Sequence, residues 1–385
     1  MDARLSESFR DPALAKSLLR RIERAAGIER AAGIERAAAE IDNTSPLQLM
    51  EVCGTHTMAI AKSGLRSLLP PSIRLLSGPG CPVCVTANKD IDRIIALTHI
   101  DDLTVATFGD MLRVPGSSTS LAERRADGCA VQVVYSPLDA MQLAVDKPGR
   151  QVVFIAVGFE TTAPIIAATI KRAAEQNLSN FTILTSLKLV PPALAALLND
   201  PELALDGLIL PGHVSTILGL QPYRFVTKQY AMPAVVTGFE PIDILAGIAM
   251  LIEQVSDQRQ GQPFEVGNAY PRAVQTEGNL KARQSIDEVF QHTDADWRGL
   301  GRIADSGLAL RKQYQTFDAA QRFDLVVEPT VEPKGCRCGD VLRGIISPVN
   351  CPLFGKACTP TRPIGPCMVS SEGSCAAYYK YGIDK

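Results

Sequence analysis

The sequence predicts an α/β protein: two similar α/β domains with mostly parallel sheets, then a third domain that is helical and cysteine-rich. Three observations lead there. From about residue 47 to 245, short β-branched or Leu-rich runs alternate with amphipathic segments, the signature of helices crossing between parallel strands. Residues 245–330 read mostly as helix. From about 334 the chain becomes rich in Pro, Gly and Cys and loses periodicity. Six of its ten cysteines fall there: Cys336, Cys338, Cys351, Cys358, Cys367 and Cys375. A chain of 385 residues buries ample core without disulfide staples, so clustered thiols point to metal or redox chemistry. A bound metal cluster would organise such a segment where an apolar core does not.

Taken in order, residues 1–44 form a helical extension. They show no apolar leader of the signal-peptide kind. Gly-Ile-Glu-Arg-Ala-Ala at 27–32 recurs almost unchanged on either side. A six-residue step turns a helix by roughly 600°, so Ile22, Ile28 and Ile34 make no continuous stripe, and the repeat at 22–39 reads as a solvated helix. Strands are expected at 47–52, 73–76, 103–108, 130–135, 151–157, 181–187, 207–210 and 234–237, with an amphipathic helix at 163–175. Eight strands are many for one sheet. The expected division is therefore 45–125 and 126–245 as the two α/β domains, with 246–385 as the third. A net charge of −2 without a long basic run excludes the usual nucleic-acid footprint. No run of about 18 apolar residues marks a membrane span. The expected compartment is a reducing cytoplasm.

The unusual motifs all follow expected strands. They are Glu-Val-Cys-Gly-Thr-His (51–56), Gly-Pro-Gly-Cys-Pro-Val-Cys (78–84), Gly-Phe-Glu-Thr-Thr-Ala-Pro (158–164), Pro-Gly-His-Val-Ser (211–215) and Gly-Phe-Glu-Pro (238–241). Ligands of open α/β sheets bind at the carboxyl ends of strands, so these motifs should line facing edges. Cys53 stands before an expected helix at 55–69, whose dipole and free amides favour a thiolate. His56, three residues on, is a second ligand or a proton carrier, and the pair suits iron or zinc. Cys81 and Cys84 form a C-x-x-C able to close as a disulfide or to share a metal. Glu160, Glu240 and His213 divide between turn or capping roles and contact with a ligand or partner. His99 and His292 read as structural or exposed, and Cys129 as a core thiol. In the tail, the spacing Cys336-x14-Cys351-x6-Cys358-x16-Cys375 fits four thiolates around an iron–sulfur cluster, with zinc as the alternative. Spacing does not choose between Cys336 and Cys338 as the first ligand.

Together these motifs, with Cys-Pro-Leu-Phe-Gly (351–355) and Ser-Ser-Glu-Gly-Ser-Cys-Ala-Ala-Tyr-Tyr (370–379), resemble the HypD family of [NiFe]-hydrogenase maturation factors, from about residue 47 onward. The hexapeptide repeat lies outside that likeness. The resemblance implies a redox-active scaffold rather than a conventional enzyme. With a HypC-type chaperone it would hold iron while two cyanides, delivered by a HypE-type donor, and one carbon monoxide are installed. It implies a [4Fe–4S] cluster on Cys336, Cys351, Cys358 and Cys375, with Cys338 and Cys367 as a second pair beside it. Cys53 would be the iron ligand with His56 its neighbour, and Cys81 and Cys84 the redox pair at the assembly site. Two other classes compete. A cluster-dependent thiol–disulfide reductase needs Cys81 and Cys84 but not Cys53. A structural zinc protein predicts a colourless chain without redox change.

Overall fold

The computed structural model describes residues 11–25, 46–325 and 327–382. All eight expected strands form: β1 Leu47–Glu51, β2 Ile73–Ser77, β3 Leu103–Thr107, β4 Val131–Val133, β5 Gln151–Gly158, β6 Phe181–Leu187, β7 Gly207–Pro211 and β8 Ala234–Thr237. With the short β9, Gly267–Asn268, they build two sheets, ordered β2-β1-β7-β8-β9 and β4-β3-β5-β6. Every pairing in both is parallel. Parallel strands are covered on both faces, which is why β5 is buried from Val152 to Gly158 and reads as an unbroken apolar run. The helix Ala163–Glu175 buries Ala163, Ile166, Ala167, Ile170 and Ala173, the 3.6-residue stripe of a sheet-covering helix.

The expected boundary near residue 125 does not separate the two sheets. It falls between β3 and β4, which are hydrogen-bonded neighbours. One sheet draws on 47–77 and 207–268, the other on 103–187. The chain leaves the first sheet after β2, completes the second, and returns to lay β7 beside β1. Periodicity locates strands but carries no information about their neighbours.

This order creates a switch point in each sheet. Connections diverge between β1 and β7, and again between β3 and β5. Crevices open at such points at the carboxyl ends of strands. One apolar cluster containing Val52, Val105, Val153, Leu208 and Val236 runs through both sheets and ties them together.

Two expectations about the flanks change. The segment 245–330 contains the helices Pro241–Arg259 and Leu280–Val289, but also an antiparallel hairpin of β10 Phe290–Trp297 and β11 Gly301–Leu310. Its strands are rich in Asp, Gly and Ala, residues depleted in strands. Tertiary contacts hold them: Trp297 is buried, its Nε1 donating to Ser306 Oγ at 2.9 Å, and the hairpin bridges to Thr86 and Lys188. At the N-terminus, the helix Pro12–Ala25 is not wholly solvated. Leu18 and Ile22 are buried in a cluster with Ile244, Ile248 and Leu251, and Arg21 forms a two-pronged ion pair with Glu253. Beyond residue 25 the hexapeptide repeat lies outside the described residues.

Ile22→Ala is expected to lower unfolding free energy by about 2–4 kcal/mol in denaturant titration, as for a buried aliphatic side chain cut back to its Cβ. An unchanged midpoint would mean that this helix does not pack on Pro241–Arg259.

Candidate functional site

Cys53 ends the β1 excursion and caps the helix Gly54–Ser63 with extended backbone. The expected longer helix breaks at Gly64, which adopts a left-handed conformation. The loop 78–84 lies directly against this start. Gly54 N–H donates to the Gly80 carbonyl at 2.9 Å, and a Cβ on Gly80 would sit 2.2 Å from the Cys53 nitrogen. A Cβ on Gly54 would lie 2.6 Å from Glu372 and 3.3 Å from the Cys81 Cβ. Three motifs distant in sequence thus meet backbone to backbone at Cys53.

The helix start does not lower the Cys53 thiol. Burial pushes it up to about 11, the Glu372 carboxylate adds to the rise, and the amides of His56 and Thr55 offset only part of it. Desolvation outweighs the dipole at a fully enclosed position. Glu372 is itself raised by burial and by Asp110. It is held by the Thr55 hydroxyl at 2.6 Å, while Asp110 Oδ2 accepts from the Ser371 amide at 2.9 Å and from the hydroxyls of Ser370 and Ser371. The tail is therefore pinned to the strand ends of both sheets. Below Cys53, buried Glu51 accepts from Arg66 at 2.7 Å and Ser77 at 2.9 Å.

His56 is fully buried and lies within hydrogen-bond distance of the Gly238 carbonyl (2.9 Å) and the Thr237 hydroxyl (2.8 Å) through Nε2. A carbonyl only accepts, so Nε2 carries the proton and Nδ1 keeps its lone pair, with no hydrogen-bond partner. Burial lowers its pKa to about 4, which keeps the ring neutral. It stacks on Phe239 at 4.6 Å, and Phe239 stacks on His213 at 3.9 Å. His56 and His213 are joined through a phenyl ring, His213 standing at the exposed end.

Glu240 takes the capping role. It caps the helix Pro241–Arg259 in a reciprocal box with Asp243. Glu160, in the matching tripeptide, does not cap its own helix. Its Oε1 accepts the Val190 amide at 2.9 Å, and its Oε2 is buried without a partner. Burial raises its pKa to about 7. Tyr223 was not marked by the sequence. Fully buried, its hydroxyl feels both Glu160 and Cys53 and is raised by burial above all.

Cys81 and Cys84 are joined as a disulfide, with the Cys84 amide donating to Cys81 Sγ at 3.1 Å. Cys84 Sγ lies 4.0 Å from the Pro366 carbonyl oxygen, one residue before Cys367. Cys338 Sγ and Cys367 Sγ are 2.7 Å apart. All six tail cysteines line one cavity, walled further by Val341, Leu353, Phe354 and Met368. Burial raises the Cys375 thiol. Contact with Cys338, then burial, raises Cys336. Among the described residues no three His, Cys, Asp or Glu side chains close on a point as the ligands of one ion would; the tail thiols ring a space instead. Arg298 locks this region to the C-x-x-C turn: its amide donates to Val85 O at 2.8 Å and its Nε to Thr86 O at 3.1 Å. Next to it, Gly299 packs on Gly339, beside Cys338. Cys129 is only half-buried and stands apart from these thiols.

The geometry defines a class: an α/β protein whose two switch-point crevices share a thiol-bearing centre, backed by a cysteine-lined cavity in its tail. Comparison with known proteins makes this specific. The HypD family model, described as the hydrogenase formation hypA family, matches residues 29–382. The chain is 44% identical to the hydrogenase maturation factor HypD of Rhodobacter capsulatus, covering 98% of each chain. It is 42% identical to HypD2 of Bradyrhizobium diazoefficiens and 44% identical to HypD of Azotobacter vinelandii, covering 98% of this chain and 96% of theirs in both cases. It belongs to the HypD family of hydrogenase maturation factors. Among the described residues no helix is long and apolar enough to cross a membrane.

Two outcomes follow from this geometry. Gly80→Ala is expected to cost more than about 2 kcal/mol in denaturant titration, because backbone rather than a flexible side chain must give way; a neutral effect would refute the close packing at Cys53. Glu160, with its folded pKa raised above the unfolded value, contributes stability that is present below about pH 4.5 and lost as pH rises through about 7. Wild type should therefore lose on the order of 2 kcal/mol between pH 5 and 8 relative to Glu160→Gln, and parallel profiles for the two would contradict an uncompensated buried carboxyl.

Proposed function

We propose that this maturation factor works as a redox-active scaffold on which iron receives two cyanides and one carbon monoxide to become the Fe(CN)2CO group of [NiFe]-hydrogenase. A HypC-type chaperone would share the iron, and a HypE-type protein would deliver cyanide, in the cytoplasm. One observation carries this reading: thiols run in sequence from the strand-end crevice to the tail cavity. Cys53 packs on the loop of Cys81–Cys84, Cys84 abuts the segment of Cys367, and Cys367 meets Cys338 at the cavity.

Iron is the cargo. Cys53 would bind it as thiolate, a soft ligand suited to Fe(II). Its raised pKa keeps the proton in place until metal displaces it. Neutral His56, three residues on, keeps an unshared lone pair on Nδ1. Glu51 and Arg66 hold the strand end rigid from beneath.

An all-thiol lining fits an iron–sulfur cluster. A ring of thiols around a space also supports a polynuclear group over a single zinc ion. As the family resemblance implies, Cys336, Cys351, Cys358 and Cys375 would hold a [4Fe–4S] cluster, with Cys338 and Cys367 as the pair beside it. When bound, the cluster supplies electrons to neighbouring thiols. Exchange between the two pairs balances: Cys338 and Cys367 close one S–S bond, giving up two electrons and two protons, and the Cys81–Cys84 bond opens to two thiols by taking them.

Protein purified without oxygen should be brown, with about four irons and four sulfides. The colour should be lost in Cys351→Ala, Cys358→Ala and Cys375→Ala and kept in Cys53→Ala, which should nevertheless fail to restore hydrogenase in a strain lacking its own factor. Full maturation by Cys53→Ala would favour a cluster-dependent thiol–disulfide reductase, a reading that the Cys81–Cys84 disulfide also accommodates. A colourless zinc protein would sink the redox account.

A further inference from the structure

Arg298 follows directly on β10 and is a buried cation, 6% exposed. Most of its bonds go to neutral groups. Nε donates to the Thr86 carbonyl at 3.1 Å, and Nη2 donates to Asn88 Oδ1 at 3.3 Å. Nη1 donates to Glu332 at 2.8 Å, a carboxylate whose side chain is 64% exposed. Water screens an exposed carboxylate, so the guanidinium keeps much of its charge inside the protein. A buried charge without full compensation is costly, and this one stands beside the tail thiols.

Two observations place it there. Gly299, the next residue, packs backbone to backbone on Gly339, which follows Cys338; a Cβ on Gly299 would lie 2.5 Å from the Gly339 Cα. The thiols also respond to the charge. Contact with Cys338 and burial raise Cys336, and Arg298 works against that rise. At Cys338 and Cys367 the contacts with neighbouring thiols act first, and Arg298 again favours the thiolate. The other arginines of this segment are matched by acids: Arg337 pairs with Asp340, and Arg343 pairs with Asp340 and Asp200.

We infer that Arg298 sets the reduction potential of the group held by the tail thiols, its fixed positive charge favouring the reduced state. This inference rests on the cluster reading above. Thiolate ligands make such a group anionic, and taking up one electron adds a further negative charge. Net charge and hydrogen bonding are among the protein's means of setting these potentials, and a charge acts most strongly where water is excluded. Glu332 weakens the effect of Arg298 from outside. The two residues should therefore move the potential in opposite directions.

The full chain, purified without oxygen, would be titrated with dithionite and redox mediators at low ionic strength and followed by visible absorption and electron paramagnetic resonance. Arg298→Gln should lower the equilibrium constant for one-electron reduction at least about tenfold, a downward shift of about 59 mV or more. Arg298→Lys, which retains the charge, should stay nearer to wild type. Glu332→Gln should shift the potential upward, by less, and carries the test if Arg298→Gln does not fold. Equal iron and sulfide contents in the variants would separate a shifted potential from a lost cluster. An unmoved potential in Arg298→Gln, a fall as large in Arg298→Lys, or a downward shift in Glu332→Gln would each overturn the inference while the protein remained brown. A colourless wild type would instead sink the cluster reading, and this inference with it.

Discussion

The structure depends on one contact without side chains: the backbone at Cys53 and Gly54 pressed against Gly80 and Glu372. No Cβ fits at Gly54 or Gly80, so two neighbouring turns and a tail segment 317 residues beyond Thr55 approach as only glycine allows. The thiol of Cys53, the C-x-x-C turn and the tail are positioned by this one packing. The tail needs it most. It has little periodic structure of its own, and is fixed by hydrogen bonds to Thr55 and Asp110.

Around that contact the titratable groups are dry and electrically quiet. Cys53 keeps its proton, the His56 ring stays neutral, and burial lifts the Glu160 carboxyl to about 7. Glu51 differs in having Arg66 and Ser77 as partners, though burial still raises it. Leaving buried groups uncompensated costs stability, and proteins keep such groups chiefly at functional sites.

Much of this was legible in the sequence, for identifiable reasons. Buried parallel strands are short apolar runs, so all eight were readable, as was the stripe of Ala163–Glu175. That motifs follow strands placed Cys53, Glu160 and His213 at the crevices. What failed needed the third dimension. The insertion of β7 beside β1 leaves no trace in periodicity. The hairpin of Phe290–Leu310 is polar and was missed because Trp297 and Ser306 stabilise it through long-range packing. The Cys53 thiol was expected to be lowered by the helix start; burial, which sequence does not report, reversed the sign. Glu240 and Glu160 share a tripeptide yet separate into a helix cap and an unmet acceptor, because Asp243 follows the one and Val190 faces the other. Tyr223 and Glu372 carried no local signal, although Glu372 lies within the tail motif.

The discontinuity of the first sheet governs how the chain is made. When the ribosome has delivered β1 and β2, the open edge of β1 has no neighbour, because β7 lies some 130 residues downstream. The β3–β6 sheet, whose strands are contiguous, can form first as a unit during synthesis. The crevice holding Cys53 closes only when β7, then the tail, have emerged. Contacts of such long range are slow to form, and an unpaired edge strand is a sticky surface. Synthesis itself thus keeps Cys53, the C-x-x-C turn and the tail from meeting until nearly the last residue has left the ribosome.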